Sequence, residues 1–135
     1  MEIPIRLSKD SREPIYSQIE NQLKALIAGG SLPAGTALPS IRILAKDLEV
    51  SAITTRRAYQ NLEAQDFIRT VQGKGTFVAE IDVDVKEQVK TTTVYQTLEQ
   101  AIETAVHYDY TLEQIKTIFE DVLTSFENKG KGESS

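Results

Sequence analysis

The stretch SAITTRRAYQNLE, residues 51–63, decides how the chain reads. Its Thr55, Ala58, Tyr59 and Leu62 recur at helical spacing and form one stripe suited to a core, which leaves Ala52, Ile53, Arg56, Arg57 and Gln60 on the opposite side. Two adjacent arginines beside Thr54 and Thr55 replace the mixed charge of an ordinary surface helix. Arginine's planar fork takes O6 and N7 of guanine together, hydroxyls such as those of Ser51 and Thr54 bond phosphate, and the free N–H groups at a helix start add donors to an anion. Such a face suits a nucleic acid. Ala52 and Ile53 bring only apolar contacts, for instance to a thymine methyl. Two positions carry a second reading: Ile53 as a residue partly buried against the preceding helix, and Arg57 as half of a local ion pair near Asn61 and Glu63. Solvated surface is the plainest alternative for either arginine.

Upstream, Ser40 stands as N-cap to IRILAKDL, a short helix whose Ile41, Leu44, Ala45 and Leu48 share one face. Only Glu49 and Val50 separate it from Ser51, the cap of the next helix, so the two form a helix-turn-helix. Before them, Pro14 opens a helix marked by Ile15, Ile19, Leu23, Leu26 and Ile27 and closed by Gly29-Gly30, and SLPAGTALP reads as a loop. Downstream, Phe67–Val71 and Thr76–Ala79 are β-prone runs around Gln72-Gly73-Lys74-Gly75, a hairpin with a lysine at its tip. Three helices and a basic-tipped hairpin make a winged helix-turn-helix, whose second paired helix enters the major groove while the hairpin reaches neighbouring backbone or minor groove. Lys74 has a plainer reading as well, solubility at an exposed tip. Gly73-Lys74-Gly75-Thr76 lacks the spacing of a nucleotide-binding phosphate loop and lies between strands.

Composition narrows the function classes. At 135 residues, 40% hydrophobic and 26% charged, the chain suits one or two small soluble domains and no large catalytic scaffold. It has no cysteine and a single histidine, His107, so no metal site, cofactor or catalytic dyad is expected. No run nears the roughly 18 apolar residues of a membrane span, which makes the cytoplasm the expected address and leaves no membrane partner. The net charge of −5 divides unevenly: residues 1–80 hold ten Lys/Arg and nine Asp/Glu, whereas 81–135 hold five and eleven. The first segment is therefore near neutral and the second acidic, and the acidic one is unsuited to a polyanion.

The string LPSIRILAKDLEVSAITTRRAYQNLEAQDFIRTVQGKGTFVAE, residues 38–80, resembles the DNA-binding domain of GntR-family bacterial transcription regulators. Its LPS-x-R start, VS-x-x-T-x-R-x-A-Y centre and GKGTFV wing follow that family's order, and with the preceding helix the match spans residues 5–80. Only about fifty residues remain beyond it, which is similar to the short YtrA-like branch, whose C-terminal part is two helices used for dimerisation. The resemblance implies double-stranded DNA contacts at Ser40, Arg42, Ser51, Thr54, Arg56, Gly73 and Lys74, a repressor's role, and control of neighbouring transporter genes. Three positions depart from the family's pattern. Ala52 replaces a base-reading arginine, Thr55 an aliphatic core residue, and Glu49 a turn glycine.

In the acidic remainder, Val85, Val89, Tyr95, Leu98, Ile102, Ala105 and Val106 outline one long helix, which the threonine run 91–93 could bend or interrupt. Thr111 and Gln114 have capping-box spacing before a second helix whose Leu112, Ile115, Ile118, Phe119, Val122, Leu123 and Phe126 form a broad apolar face. His107 is an incidental helix-end residue. Two such helices cannot bury that face alone, so Leu98, Ile102, Ile115, Phe119, Val122, Leu123 and Phe126 are expected to form a homodimer contact, with packing inside one chain as the alternative. The expected fold is mainly α with a small β-hairpin: a winged domain at 1–80, a two-helix dimerisation segment at 81–128 and a disordered tail at 129–135. The expected function is that of a homodimeric, non-enzymatic DNA-binding regulator on an inverted-repeat operator. A winged-helix module that binds protein is the rival, favoured by the acidic charge and by Ala52. Nothing in the residues identifies a small-molecule effector.

Overall fold

The computed structural model describes the backbone of residues 3–133. Two compact units divide the chain, Met1–Thr91 and Thr92–Ser135. The first begins with helix α1, Ile15–Ala28, entered through Pro14 and closed at Gly29, whose N–H donates to Ala25 O at 2.8 Å. Gly30 then turns the chain with φ 90°, a value that favours glycine. Ile19, Leu23 and Ile27 on the inner face of α1 are fully buried, and burial of each such side chain stabilises the fold by roughly 1.5–3 kcal/mol. Helix α2, Ile41–Leu48, and helix α3, Ala52–Ala64, follow, and the core closes over Leu44, Ala58, Tyr59 and Leu62. This bears out the expected winged helix-turn-helix.

The sheet differs from the expected hairpin by one strand. Strands β1 (Ala37–Leu38), β2 (Ile68–Val71) and β3 (Gly75–Val78) form an antiparallel sheet in the order β1-β3-β2. The loop reading of residues 31–39 misses β1, because two residues cannot display a period of two. Its partners lie far along the chain: Ala37 faces Phe77 and Leu38 faces Thr76, and just before the strand Gly35 N–H donates to Val78 O at 2.8 Å and Val78 N–H to Thr36 O at 2.9 Å.

A second feature without a sequence reading is the arm that precedes α1. Ile3, Ile5 and Leu7 pack against the core from alternate positions, while two glutamines one turn apart fasten the arm's backbone. The Gln22 amide accepts from Arg6 N–H at 2.8 Å and donates to Arg6 O at 2.7 Å. Gln18, only 7% exposed, accepts from Ser8 N–H and donates to the carbonyls of Ser8 and Glu13, each at 2.8 Å. Among the described residues, no buried side-chain polar atom lacks a partner.

Helix α4, Val83–His107, runs unbroken through the threonine run, and the division between the two units falls within it. Its beginning belongs to the first unit because Val89, with Ile81 just before the helix, packs against the core. The second unit holds the rest of α4 and helix α5, Leu112–Glu133. Asp109, at φ 65°, turns the chain between them, and the capping box closes as spaced: Gln114 N–H donates to Thr111 Oγ1 at 3.1 Å and Thr111 N–H to Gln114 Oε1 at 2.9 Å. The helical backbone continues through Glu133, past the start of the tail expected from 129; residues 134–135 lie outside the described residues. No helix among the described residues is long and apolar enough to cross a membrane.

Glu49, where the family's pattern has glycine, ends α2 in the left-handed region at φ 56° and ψ 44°. Its turn is held by Val50 N–H donating to Ala45 O at 3.0 Å and Glu49 N–H to Lys46 O at 3.2 Å. An L side chain there costs roughly 1–2 kcal/mol, partly offset in glycine by the greater freedom of its unfolded chain. Glu49→Gly therefore raises stability by about 0.5–1 kcal/mol. The check is the urea midpoint, which rises at unchanged slope.

Candidate nucleic-acid interface

Two serines set the geometry of the helix-turn-helix. Ser40 Oγ accepts from Ile43 N–H at 3.2 Å and Ser51 Oγ from Thr54 N–H at 3.1 Å, so each hydroxyl caps its own helix. Ser51 also donates to Thr54 Oγ1 at 2.8 Å, which leaves the Thr54 hydroxyl proton free for an outside acceptor. Thr55, in the place of an aliphatic residue, is fully buried, and it satisfies its hydroxyl by donating to Ser51 O at 3.2 Å. Tyr59 locks the entry to α2 by donating to Pro39 O at 2.6 Å across twenty residues of sequence. Burial pushes the Tyr59 hydroxyl well above its ordinary pKa, so it stays a donor throughout the physiological range.

With the inner stripe of α3 buried, Ala52, Ile53, Arg56, Arg57 and Gln60 are exposed on that helix. Ile53 is 77% exposed, which corrects the reading that tucked it against α2. The ion-pair reading of Arg57 is corrected too. Its guanidinium lies 3.8 Å from the centroid of the Tyr16 ring on α1, and Glu63 instead accepts from Thr70 at 3.1 Å. Arg42 is exposed on α2 beside Ile43, itself 55% exposed and not marked by the sequence reading. At the hairpin tip, Lys74 N–H closes the turn on Val71 O at 2.9 Å, Gly73 and Gly75 take φ 80° and 121°, and Gly73 and Lys74 are exposed. Tyr16 is the residue the sequence reading passed over. Its signal was absent, because its partner lies on another helix, 41 positions away.

Electrostatics follow from who is paired with whom. The one ion pair among the described residues joins Lys90 to Glu87 at 3.3 Å. Arg42, Arg56, Arg57 and Lys74 therefore keep uncompensated charge within a chain of net −5. A face whose exposed cations form no ion pair among the described residues fits a polyanion, and the winged helix-turn-helix that carries it defines the class: DNA-binding transcription regulators.

Comparison with known proteins agrees. The family model described as bacterial regulatory proteins, gntR family, matches residues 15–78. The chain is 34% identical over 122 residues to the HTH-type transcriptional repressor YtrA of Bacillus subtilis (strain 168), covering 87% of this chain and 94% of that one. Among solved structures it is similar to a GntR family transcriptional regulator from Listeria monocytogenes, with a TM-score of 0.68 at 34% identity over 83% of this chain and 97% of the other. YtrA from Sulfolobus acidocaldarius, a GntR-family transcription factor, gives a TM-score of 0.55 at 36% identity over 70% and 97%. The chain belongs to the GntR family of bacterial regulatory proteins. Its relatives are transcription regulators and not enzymes.

The exposed cations separate into two expected behaviours. Arg56→Ala weakens binding to a duplex selected by the wild-type chain by roughly 1–3 kcal/mol and leaves binding to random duplex nearly intact, as titration of both duplexes reads. Lys74→Ala lowers affinity for every duplex and reduces the slope of log affinity against log salt by about 0.9, the signature of one lost phosphate contact.

Proposed function

We propose that the protein is a repressor that binds an inverted-repeat operator as a homodimer, with Arg42 and Arg56 reading bases, Ser40, Ser51, Thr54 and Arg57 meeting phosphates, Ala52 and Ile53 supplying apolar base contacts, and Gly73 and Lys74 placing the wing. The observation that carries the dimer is the uncovered apolar surface of α4 and α5. Leu98, Ile102, Phe119, Val122, Leu123 and Phe126 are all exposed, Phe126 by 66%, and Ile115 is half-buried. The two helices do not pack along one another, so the alternative of mutual burial within one chain has no support. Exposed faces of this extent are characteristic of association. A second copy is the occupant that also serves the DNA reading. One winged domain is near neutral overall and buries a small interface, whereas two tethered domains make the second contact intramolecular at high effective concentration. Twofold symmetry then matches an inverted repeat.

A protein-binding role for the winged domain is the rival, favoured by the exposed Ile43 and Ile53. Failure of the full-length chain to prefer any duplex over random DNA is the outcome that selects it.

A fragment ending at Thr91 keeps Ile81 and Val89 on the core and stays folded, yet it sediments as a monomer and loses on the order of a hundredfold in affinity for a two-half-site duplex. Leu123→Asp or Ile102→Asp in the full chain does nearly the same, because each places an unpaired carboxylate in a dry contact. Sedimentation beside a DNA titration tests both. A dimeric fragment, or full-site affinity equal to that of the intact chain, refutes the assignment of α4 and α5 to dimerisation.

A further inference from the structure

We propose that Tyr16 is a positioning residue for DNA binding, which sets Arg57 as a phosphate clamp at the rim of the recognition helix. The inference rests on the DNA-binding reading above and assigns a part in it to α1. The central carbon of the Arg57 guanidinium lies over the Tyr16 ring at contact distance, 3.8 Å from its centroid. A contact with the ring uses none of the guanidinium's N–H donors, the part that takes a phosphate in two parallel bonds.

The carboxylates that could have taken those edges are committed elsewhere. Glu20, one turn beyond Tyr16 on α1, accepts from Asn61 Nδ2 at 3.0 Å and Gln65 Nε2 at 2.8 Å, and Glu63 accepts from Thr70. Arg57 has no ion pair among the described residues and is exposed. A purely structural tie would be redundant, because Ile19 and Leu23 of α1 share a fully buried core with Ala58 and Leu62 of α3, and Glu20 already bridges the two helices. What the stack adds is order in a long side chain that otherwise loses rotamer freedom when it binds.

Position around the helix gives the clamp its role. Arg57 is rotated by about 100° from Arg56, away from the groove-facing line and toward α1. An arginine at that rim meets the sugar-phosphate wall of the groove and not the base edges, so its effect is independent of sequence.

The test measures affinity for a selected duplex and a random duplex across salt, for the intact chain and its variants. Tyr16→Phe keeps the ring and binds within about twofold of wild type. Tyr16→Leu loses on the order of two- to fivefold on both duplexes. Arg57→Ala loses more on both and lowers the salt slope by about 0.9. Adding Tyr16→Leu to Arg57→Ala costs nothing further, which a merely structural role would not produce. The proposal is overturned if the two losses multiply, or if Tyr16→Phe loses as much as Tyr16→Leu. Should Tyr16→Leu unfold, Arg57→Lys keeps the charge without the planar face, and wild-type affinity in that variant overturns the proposal equally. Wild-type failure on every duplex sinks the DNA-binding reading and this one with it; wild-type binding with an indifferent Tyr16 sinks this one alone.

Discussion

The packing of α1 against the inner stripe of α3 is the contact on which the rest of the first unit depends. Ile19, Leu23 and Ile27 meet a stripe of Ala58, Tyr59 and Leu62, and every one of these is buried. Because a helix that buries one face must present the other, this contact also decides which residues of α3 are offered outward. Glu20, held by Asn61 and Gln65, and Tyr16, stacked on Arg57, extend the same seam toward the surface. Core packing and the candidate binding face are thus two sides of one helix, and a change in the first re-aims the second.

Around that contact, polar groups fix angles that apolar burial leaves free. Ser40 and Ser51 start their helices, Glu49 turns the chain between them in a left-handed conformation, and Tyr59 ties the start of α2 to the middle of α3. The replacement of an aliphatic residue by Thr55 shows how a departure from the family's pattern is accommodated. Its hydroxyl bonds the carbonyl one turn back, so the polar atom enters the core already satisfied. The two glutamines of α1 treat the arm in the same way, matching amide donors and acceptors to a backbone segment that has no strand partner.

The second unit obeys a different balance. Its helices are closed by sound local signals, with the capping box of Thr111 and Gln114 and the left-handed Asp109 between them, yet most of their large apolar residues stay exposed. Local hydrogen bonds satisfy the backbone of a helix, but only a partner surface removes its apolar face from water. The proposed dimer joins these two facts to the modest charge of a single winged domain.

The amino-acid sequence by itself determined the helices, their caps, the hairpin and the basic face of α3, because each rests on neighbours within one or two turns. Periodicity at Ile19, Leu23 and Ile27, serines before apolar runs, and glycines around Lys74 are local signals that need no folded context. It also showed which residues of α5 form one face. Tertiary structure alone decided what required distant partners. β1 is a strand only because Thr76 and Phe77 of β3 pair with it, the arm is held by Gln18 and Gln22 and by the core contacts of Ile3, Ile5 and Leu7, and the choice between a buried and an exposed Ile53 rests on how α3 sits against α2. Arg57 makes the case most directly: its spacing on α3 was compatible with a phosphate contact or an ion pair, and the ring that holds it comes from a helix 41 residues earlier, a distance that no periodic pattern spans.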